Sequence, residues 1–79
     1  MPTYFVSVSV TPPANATDSD ILRLLQRAAD TAACRPVEVS ALGLIVECDA
    51  AALNVLEETI RRDLAARGGS LDTISVKQI

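Results

Sequence analysis

The sequence predicts an α+β domain in which a four-stranded antiparallel sheet carries two helices on one face. Short segments of alternating apolar and polar residues are typical of strands, and two longer segments with apolar residues every three or four positions are typical of helices. These segments follow one another in the order βαββαβ. Because each helix connects two strands, right-handed crossovers would place both helices on the same face. No linker or repeat interrupts the pattern, so we expect residues 1–79 to form a single domain.

The first strand is predicted over Tyr4–Val10, where every second residue is apolar, and Pro12-Pro13 ends it. Thr17–Asp20 predicts a helix start, since it combines capping residues with acidic residues suited to the positive helix end. Cys34-Arg35-Pro36 is expected to close this helix, because a residue before proline avoids the helical conformation. The buried stripe of the helix is predicted at Ile21, Leu25, Ala28 and Ala32.

The second half of the chain starts with a predicted hairpin, in which Val37–Ser40 and Leu44–Cys48 are strands and Ala41–Gly43 is the turn. Asp49 is expected to cap a helix from Ala50 to about Arg67, which Gly68-Gly69 ends. The last strand is predicted over Thr73–Lys77. The complete order is that of the ferredoxin-like fold, in which the first and third strands are central. The buried stripe of the second helix is predicted at Leu53, Leu56, Ile60 and Leu64.

Composition excludes several classes of function. Apolar residues form 49% of the chain, which predicts a packed core, and the formal net charge of −3 argues against direct nucleic acid binding. The chain has no histidine and only two cysteines, so we expect neither a metal site nor a cofactor. The longest apolar run, Ala41–Val46, is too short to span a membrane. With no recognisable export signal, the sequence predicts a cytoplasmic protein.

The sheet face opposite the helices is the main candidate binding surface. Strand alternation places Phe5 and Ile45 there, on the two central strands, among small hydroxyl residues. We predict that a protein partner or a second copy docks on this face, although an ordinary solvated sheet face would look similar. The residues predicted to contact the partner are Phe5, Ser7, Ser9, Ile45, Glu47, Thr73 and Ser75.

Four other features of the sequence are candidates for chemistry. Cys34 and Cys48 are expected at the same end of the sheet, either as a redox pair or as inert buried side chains. Glu38 and Glu47 lie on paired strands and would need a cleft to share acid–base work. The loop 11–17 is expected to project beside the hairpin turn. On the second helix, three acidic residues each precede a basic residue by four positions, which is the stabilising order for ion pairs: Glu57–Arg61, Glu58–Arg62 and Asp63–Arg67.

Three segments resemble the inhibitor I9 family, which comprises the propeptides and small inhibitors of subtilisin-like proteases. Tyr4–Val8 resembles the opening strand of that family, Ser40–Val46 resembles its turn and third strand, and Asp49–Leu56 resembles the helix that follows. The resemblance implies the βαββαβ fold. It also implies that the sheet surface docks on a protease while a C-terminal tail enters the active-site cleft.

Because no catalytic constellation is recognisable, the sequence predicts a non-enzymatic binding module, most concretely an inhibitor of a macromolecular partner. The target is a protease by the resemblance, or a nucleic-acid-handling complex whose basic groove a small acidic protein occupies, as phage-encoded inhibitors of bacterial defence do. The alternative is an ACT-like domain that senses small molecules or mediates assembly as a homodimer. An enzyme would need Cys34 or Cys48 as its nucleophile.

Overall fold

The computed structural model describes all residues from Met1 to Ile79. It confirms the predicted order of elements and the ferredoxin-like α+β fold. The strands are β1 (Thr3–Thr11), β2 (Arg35–Ser40), β3 (Gly43–Glu47) and β4 (Ser70–Gln78). The helices are α1 (Asp18–Thr31) and α2 (Ala50–Ala66). Neither helix is both long enough and apolar enough to cross a lipid bilayer.

The four strands form one antiparallel sheet in the order β2-β3-β1-β4, so β1 and β3 are central as expected. Phe5 of β1 lies opposite Ile45 of β3 on one side and Lys77 of β4 on the other. The even-numbered residues of β1 from Tyr4 to Val8 are buried under the helices, whereas Phe5, Ser7 and Ser9 are exposed. The second face of the sheet therefore remains open.

One apolar core fills the space between the sheet and the helices. The predicted stripe of α1 is buried in full, and Leu56, Ile60 and Leu64 of α2 are at most 1% exposed. Leu53 is half-buried and packs against the edge of this core. The largest fully buried side chains are Leu25, Leu44, Leu56, Ile60, Leu64, Val6, Val46 and Cys48.

The start of α1 is capped as the sequence predicts. The side chain of Thr17 accepts a hydrogen bond from the backbone N–H of Asp20, and the Asp20 carboxylate accepts one from the Thr17 N–H at 2.9 Å. The Thr17 N–H would otherwise lack a partner at the helix end, whereas the Asp20 N–H also donates to the Thr17 carbonyl at 3.0 Å. Hydrogen bonding of the Asp20 carboxylate to Thr17, first to its backbone N–H and then to its side chain, lowers the pKa of Asp20. Asp49 occupies the cap position of α2, which confirms the predicted helix start, but its side chain makes no capping hydrogen bond.

The end of α1 lies three residues before the predicted closure. Ala33 adopts a left-handed conformation with φ of 58°, and the N–H of Cys34 donates to the Ala29 carbonyl at 2.8 Å. This geometry closes the helix. Pro36 therefore lies inside β2 rather than after a helix, which is compatible with an edge strand.

The hairpin turn is shorter than expected, because Gly43 belongs to β3 and pairs with both Ser7 and Ser40. A Cβ atom at Gly43 would collide with the carbonyl oxygen of Val6. Because Gly43 has no side chain, β3 can approach β1 closely at this point. Strand β3 also ends at Glu47 rather than at Cys48.

Candidate interaction surface

The open face of the sheet collects all of the residues predicted to contact a partner. The four strands place them in register, with Ser7 opposite Ser75, Ser9 opposite Thr73, and Phe5 opposite Ile45. Ile45 and Glu47 are half-buried and the other five are exposed. Their position is therefore as expected, while their role in binding stays a prediction.

A single row of side chains crosses the whole open face. Glu38, Ile45, Phe5 and Lys77 lie side by side on β2, β3, β1 and β4, and we call them the aromatic row. Phe5 is the only phenylalanine of the chain, yet 43% of it is exposed. The row thus has an apolar centre, an acidic end on β2 and a basic end on β4.

A shallow depression of about 290 Å³ lies beside the aromatic row. Gly43 lines it and has no side chain to fill it, while the exposed Leu42 of the hairpin turn lies at its edge. Sequence reasoning missed Leu42 and Gly43 as parts of this surface, because it placed both in the turn. The remaining lining residues are Phe5, Ser7, Glu38, Ser40, Leu44 and Ile45.

Polar contacts border the open face at two places. Glu47 forms an ion pair with Arg35, its neighbour across β2 and β3, at 4.0 Å. At the other end, the Thr11 hydroxyl donates to the Asp72 carboxylate at 2.8 Å, and the Ser70 hydroxyl donates to the same carboxylate at 3.2 Å. Glu38 lies opposite Ile45, whereas Glu47 lies opposite Arg35. The two carboxylates are therefore not cross-strand partners, as a shared acid–base role would require.

The loop 11–17 and the hairpin turn border a second cavity, open to solvent, of about 380 Å³. Pro12, Ala16 and Thr17 line one side of it, while Ala41 and Leu42 line the other. The expected proximity of loop and turn is thus confirmed. The lining is mostly apolar, and Asp18 is the only charged residue in it. Such a cavity would suit an apolar group better than an anion.

Cys34 and Cys48 lie at the same end of the sheet, as expected, and the structure shows that they are neighbours. They flank the Arg35–Glu47 pair of the β2–β3 ladder, and their exposures are 2% and 0%. Desolvation, followed by the hydrogen bond with Cys48, raises the pKa of the Cys34 thiol to about 12. Such a thiol is almost entirely protonated at neutral pH, so Cys34 is poorly suited to nucleophilic attack.

The charged face of α2 is only partly arranged as expected. Glu57 and Arg61 form the predicted ion pair at 3.7 Å. Arg62 pairs with its neighbour Asp63 at 3.9 Å rather than with Glu58, and Arg67 makes no ion pair. Arg62, Asp63 and Arg67 instead turn towards α1 and line a cleft with Arg27. Because these ion pairs are exposed to solvent, they contribute little to the free energy of unfolding.

Comparisons with known proteins identify the fold and not a family. No protein-family model matches the chain, and no curated protein matches it. The chain is similar to the crystal structure of acylphosphatase from Bacillus subtilis, with 16% identity and a TM-score of 0.57, over 100% of this chain and 86% of that one. It is also similar to a domain of unknown function, DUF77, from Bacillus cereus, with 15% identity and a TM-score of 0.56, over 98% of this chain and 72% of that one. The likeness to inhibitor I9 proteins stays a prediction.

Proposed function

We propose that the chain is a non-enzymatic binding module that docks on a protein partner through its open sheet face. The observation that carries this proposal is the aromatic row, in which Phe5 is exposed at the centre of the sheet. An aromatic side chain of this size is more often buried. Its exposure on a central strand therefore favours a surface that a partner covers.

The composition of the face matches that of a small protein interface. Phe5 and Ile45 form an apolar centre, and the hydroxyls of Ser7, Ser75 and Thr73 surround it. Interfaces commonly combine an apolar core with a polar rim that hydrogen bonds to the partner. The depression beside Gly43 would accept an apolar side chain of that partner. The opposite charges of Glu38 and Lys77 would fix the orientation of docking.

Inhibition is the most concrete form of this function. The partner is a protease or a nucleic-acid-handling complex with a basic surface, and the net charge of −3 supports the second. We place this activity in the cytoplasm, which the two reduced, buried thiols support.

The experiment compares capture of partners from an extract by the tagged protein and by two variants. Phe5→Ser removes the centre of the aromatic row, and Val55→Ser removes a valine of α2 that is similarly exposed, at 47%. We expect one dominant partner that Val55→Ser retains and Phe5→Ser loses. A partner that resists high salt would indicate apolar contact, and one released by salt would indicate charge complementarity.

Thermal unfolding of both variants is the control, since a folded Phe5→Ser protein must be shown before its loss of binding is interpreted. Because Phe5 is on the open face, we expect its replacement to leave the core packing intact. If the folded Phe5→Ser protein binds the partner as well as the unmodified chain, the open face is not the docking surface.

A second candidate function rests on the cavity between loop 11–17 and the hairpin turn. Its volume of about 380 Å³ falls within the range of small-molecule sites, and its lining is mostly apolar. This favours an ACT-like sensor of a small ligand. A thermal-shift screen of amino acids, with the anionic nucleotides as the contrasting class, tests it, because a ligand that binds only the folded state raises the melting temperature. No shift with any compound would count against this candidate.

A further inference from the structure

Strand β4 leaves one long edge of the sheet without a hydrogen-bonding neighbour. It spans nine residues, Ser70–Gln78, and pairs only with β1. The N–H of Ile79 donates to the Thr3 carbonyl at 2.9 Å, which shows that the backbone groups of odd-numbered residues point towards β1. By alternation, the N–H and C=O groups of Ile74, Val76 and Gln78 point outwards.

The opposite edge of the sheet is shorter than β4 and contains a proline, which β4 lacks. Strand β2 has six residues, contains Pro36, and has an irregular register between Pro36 and Glu38. Short length, proline and bulges are the usual devices that prevent an edge from pairing. Strand β4 contains no proline. Its one irregularity lies near its start, opposite Ser9 and Val10.

The neighbouring helix covers only the first part of the β4 edge. The Arg61 guanidinium donates to the Leu71 carbonyl at 3.5 Å, and residues beyond Asp72 receive no such contact. Ile74 is half-buried and Val76 is 44% exposed on the helix side of the sheet. The uncovered part thus combines free backbone groups with two apolar side chains that are only partly buried, which favours pairing with another strand.

We propose that β4 pairs antiparallel with β4 of a second copy, centred on Ser75, and so joins two sheets into one of eight strands. In this register Ile74 of each copy lies opposite Val76 of the other, and the two residues exchange backbone hydrogen bonds. Both side chains lie on the helix side and cover each other. A second copy supplies a strand of equal length and the same pattern, which an unrelated partner would supply only by coincidence.

Charge complementarity specifically favours this self-pairing. Lys77 is on the open face, and the Asp72 carboxylate reaches the same face, where it accepts from Thr11. In the proposed register, Lys77 lies opposite Thr73 of the second copy and beside its Asp72. The two-fold axis produces this attraction twice. Parallel pairing in register would instead place like charges together.

This inference does not depend on the proposed function, because the β4 edge and the aromatic row are different surfaces. The dimer leaves Phe5 and Ile45 exposed on both copies, and it presents two docking faces on one continuous sheet. Phe5→Ser is therefore expected to leave self-association unchanged, whereas edge variants are expected to abolish it. The two proposals can thus fail independently.

Sedimentation equilibrium of the purified chain at several concentrations tests the inference. We expect a species of twice the 8.3 kDa chain mass that dissociates on dilution. Val76→Pro removes an outward-pointing donor and is expected to raise the dissociation constant about 100-fold or more, since both copies lose hydrogen bonds. Val55→Ser and Phe5→Ser serve as controls that retain the dimer.

A charge reversal keeps the test decisive if Val76→Pro does not fold. Lys77→Asp is expected to raise the dissociation constant about 3- to 10-fold, because it replaces two attractions with repulsions. Adding Asp72→Lys to Lys77→Asp is expected to restore much of the affinity. A chain that stays monomeric at every concentration overturns the inference. So does a dimer that folded Val76→Pro and Lys77→Asp both leave unaffected.

Discussion

Replacing Gly43 by alanine tests whether the close approach of β3 and β1 is required. The added Cβ would collide with the carbonyl oxygen of Val6 and lie 3.1 Å from the Cα of Ser7. Both obstacles are backbone atoms of a central strand, so no side-chain rotation relieves the collision. We expect Gly43→Ala to lower the free energy of unfolding by about 1–3 kcal/mol, the usual cost of overpacking.

That loss is a large fraction of the stability expected for a domain of 79 residues, which is about 4–12 kcal/mol by per-residue averages. A loss of about 2 kcal/mol corresponds to a fall in melting temperature of about 8–16 °C. Urea unfolding followed by circular dichroism measures the free energy, and an unchanged denaturant slope would show that the transition remains comparable.

Gly68→Ala is the matched control. Gly68 has a φ of 87°, but a Cβ there would meet no atom within 4 Å, so its replacement tests backbone conformation without collision. We expect a cost of about 1 kcal/mol at this position. If Gly43→Ala is no less stable than Gly68→Ala, the packing argument for Gly43 is refuted.

Three further predictions concern the core, the thiols and the helix cap. Leu56→Ala should cost about 2–5 kcal/mol in urea unfolding, because this side chain is 1% exposed, whereas Val55→Ala should have a much smaller effect. Alkylation of Cys34 at pH 8 should be slow in the folded chain and rapid in denaturant, since burial raises its pKa to about 12; equal rates would contradict the buried position. Asp20→Asn should lose the stability that the ionised cap provides at neutral pH. Because folding lowers the pKa of Asp20 below 3.8, the difference from the unmodified chain should persist above that pH and vanish as acid protonates the folded carboxyl, as melting temperatures at several pH values would show.

Local patterning is enough to predict the architecture and the membership of the open face. Alternation in Tyr4–Val10 and Thr73–Lys77 determines which side chains point away from the helices, and the order of elements determines the strand neighbours. Alternation alone therefore places Phe5 and Ile45 correctly on the open face. Their use in binding is a separate matter that the pattern does not address.

Features that depend on contacts between distant segments are not predictable in this way. Gly43 has the sequence context of a turn glycine, and only the position of Val6 shows that it belongs to a strand. The predicted last strand omits the first residues of β4, because Asp72 interrupts the alternation of apolar and polar residues. The Asp72 carboxylate accepts a hydrogen bond from Thr11 of β1, a contact that the local sequence does not reveal. Asp49 lies at the predicted cap position of α2 but forms no side-chain capping bond, since a suitable residue type does not ensure that its side chain bonds the helix end.

The pairing of the first strand with the last has a consequence for folding kinetics. Thr11 and Asp72 are bonded across 61 positions of the chain, and the β1–β4 ladder joins the segments most distant in sequence. The hydrogen bonds within each helix and across the β2–β3 hairpin are local in sequence, so these elements can form early. The sheet is complete only after the largest loop closes. Closing a loop of this length costs conformational entropy before the new contacts stabilise the sheet. Docking of β4 is thus expected to be the slow step, and until it occurs the central strand β1 has an open side on which a neighbouring chain could pair instead.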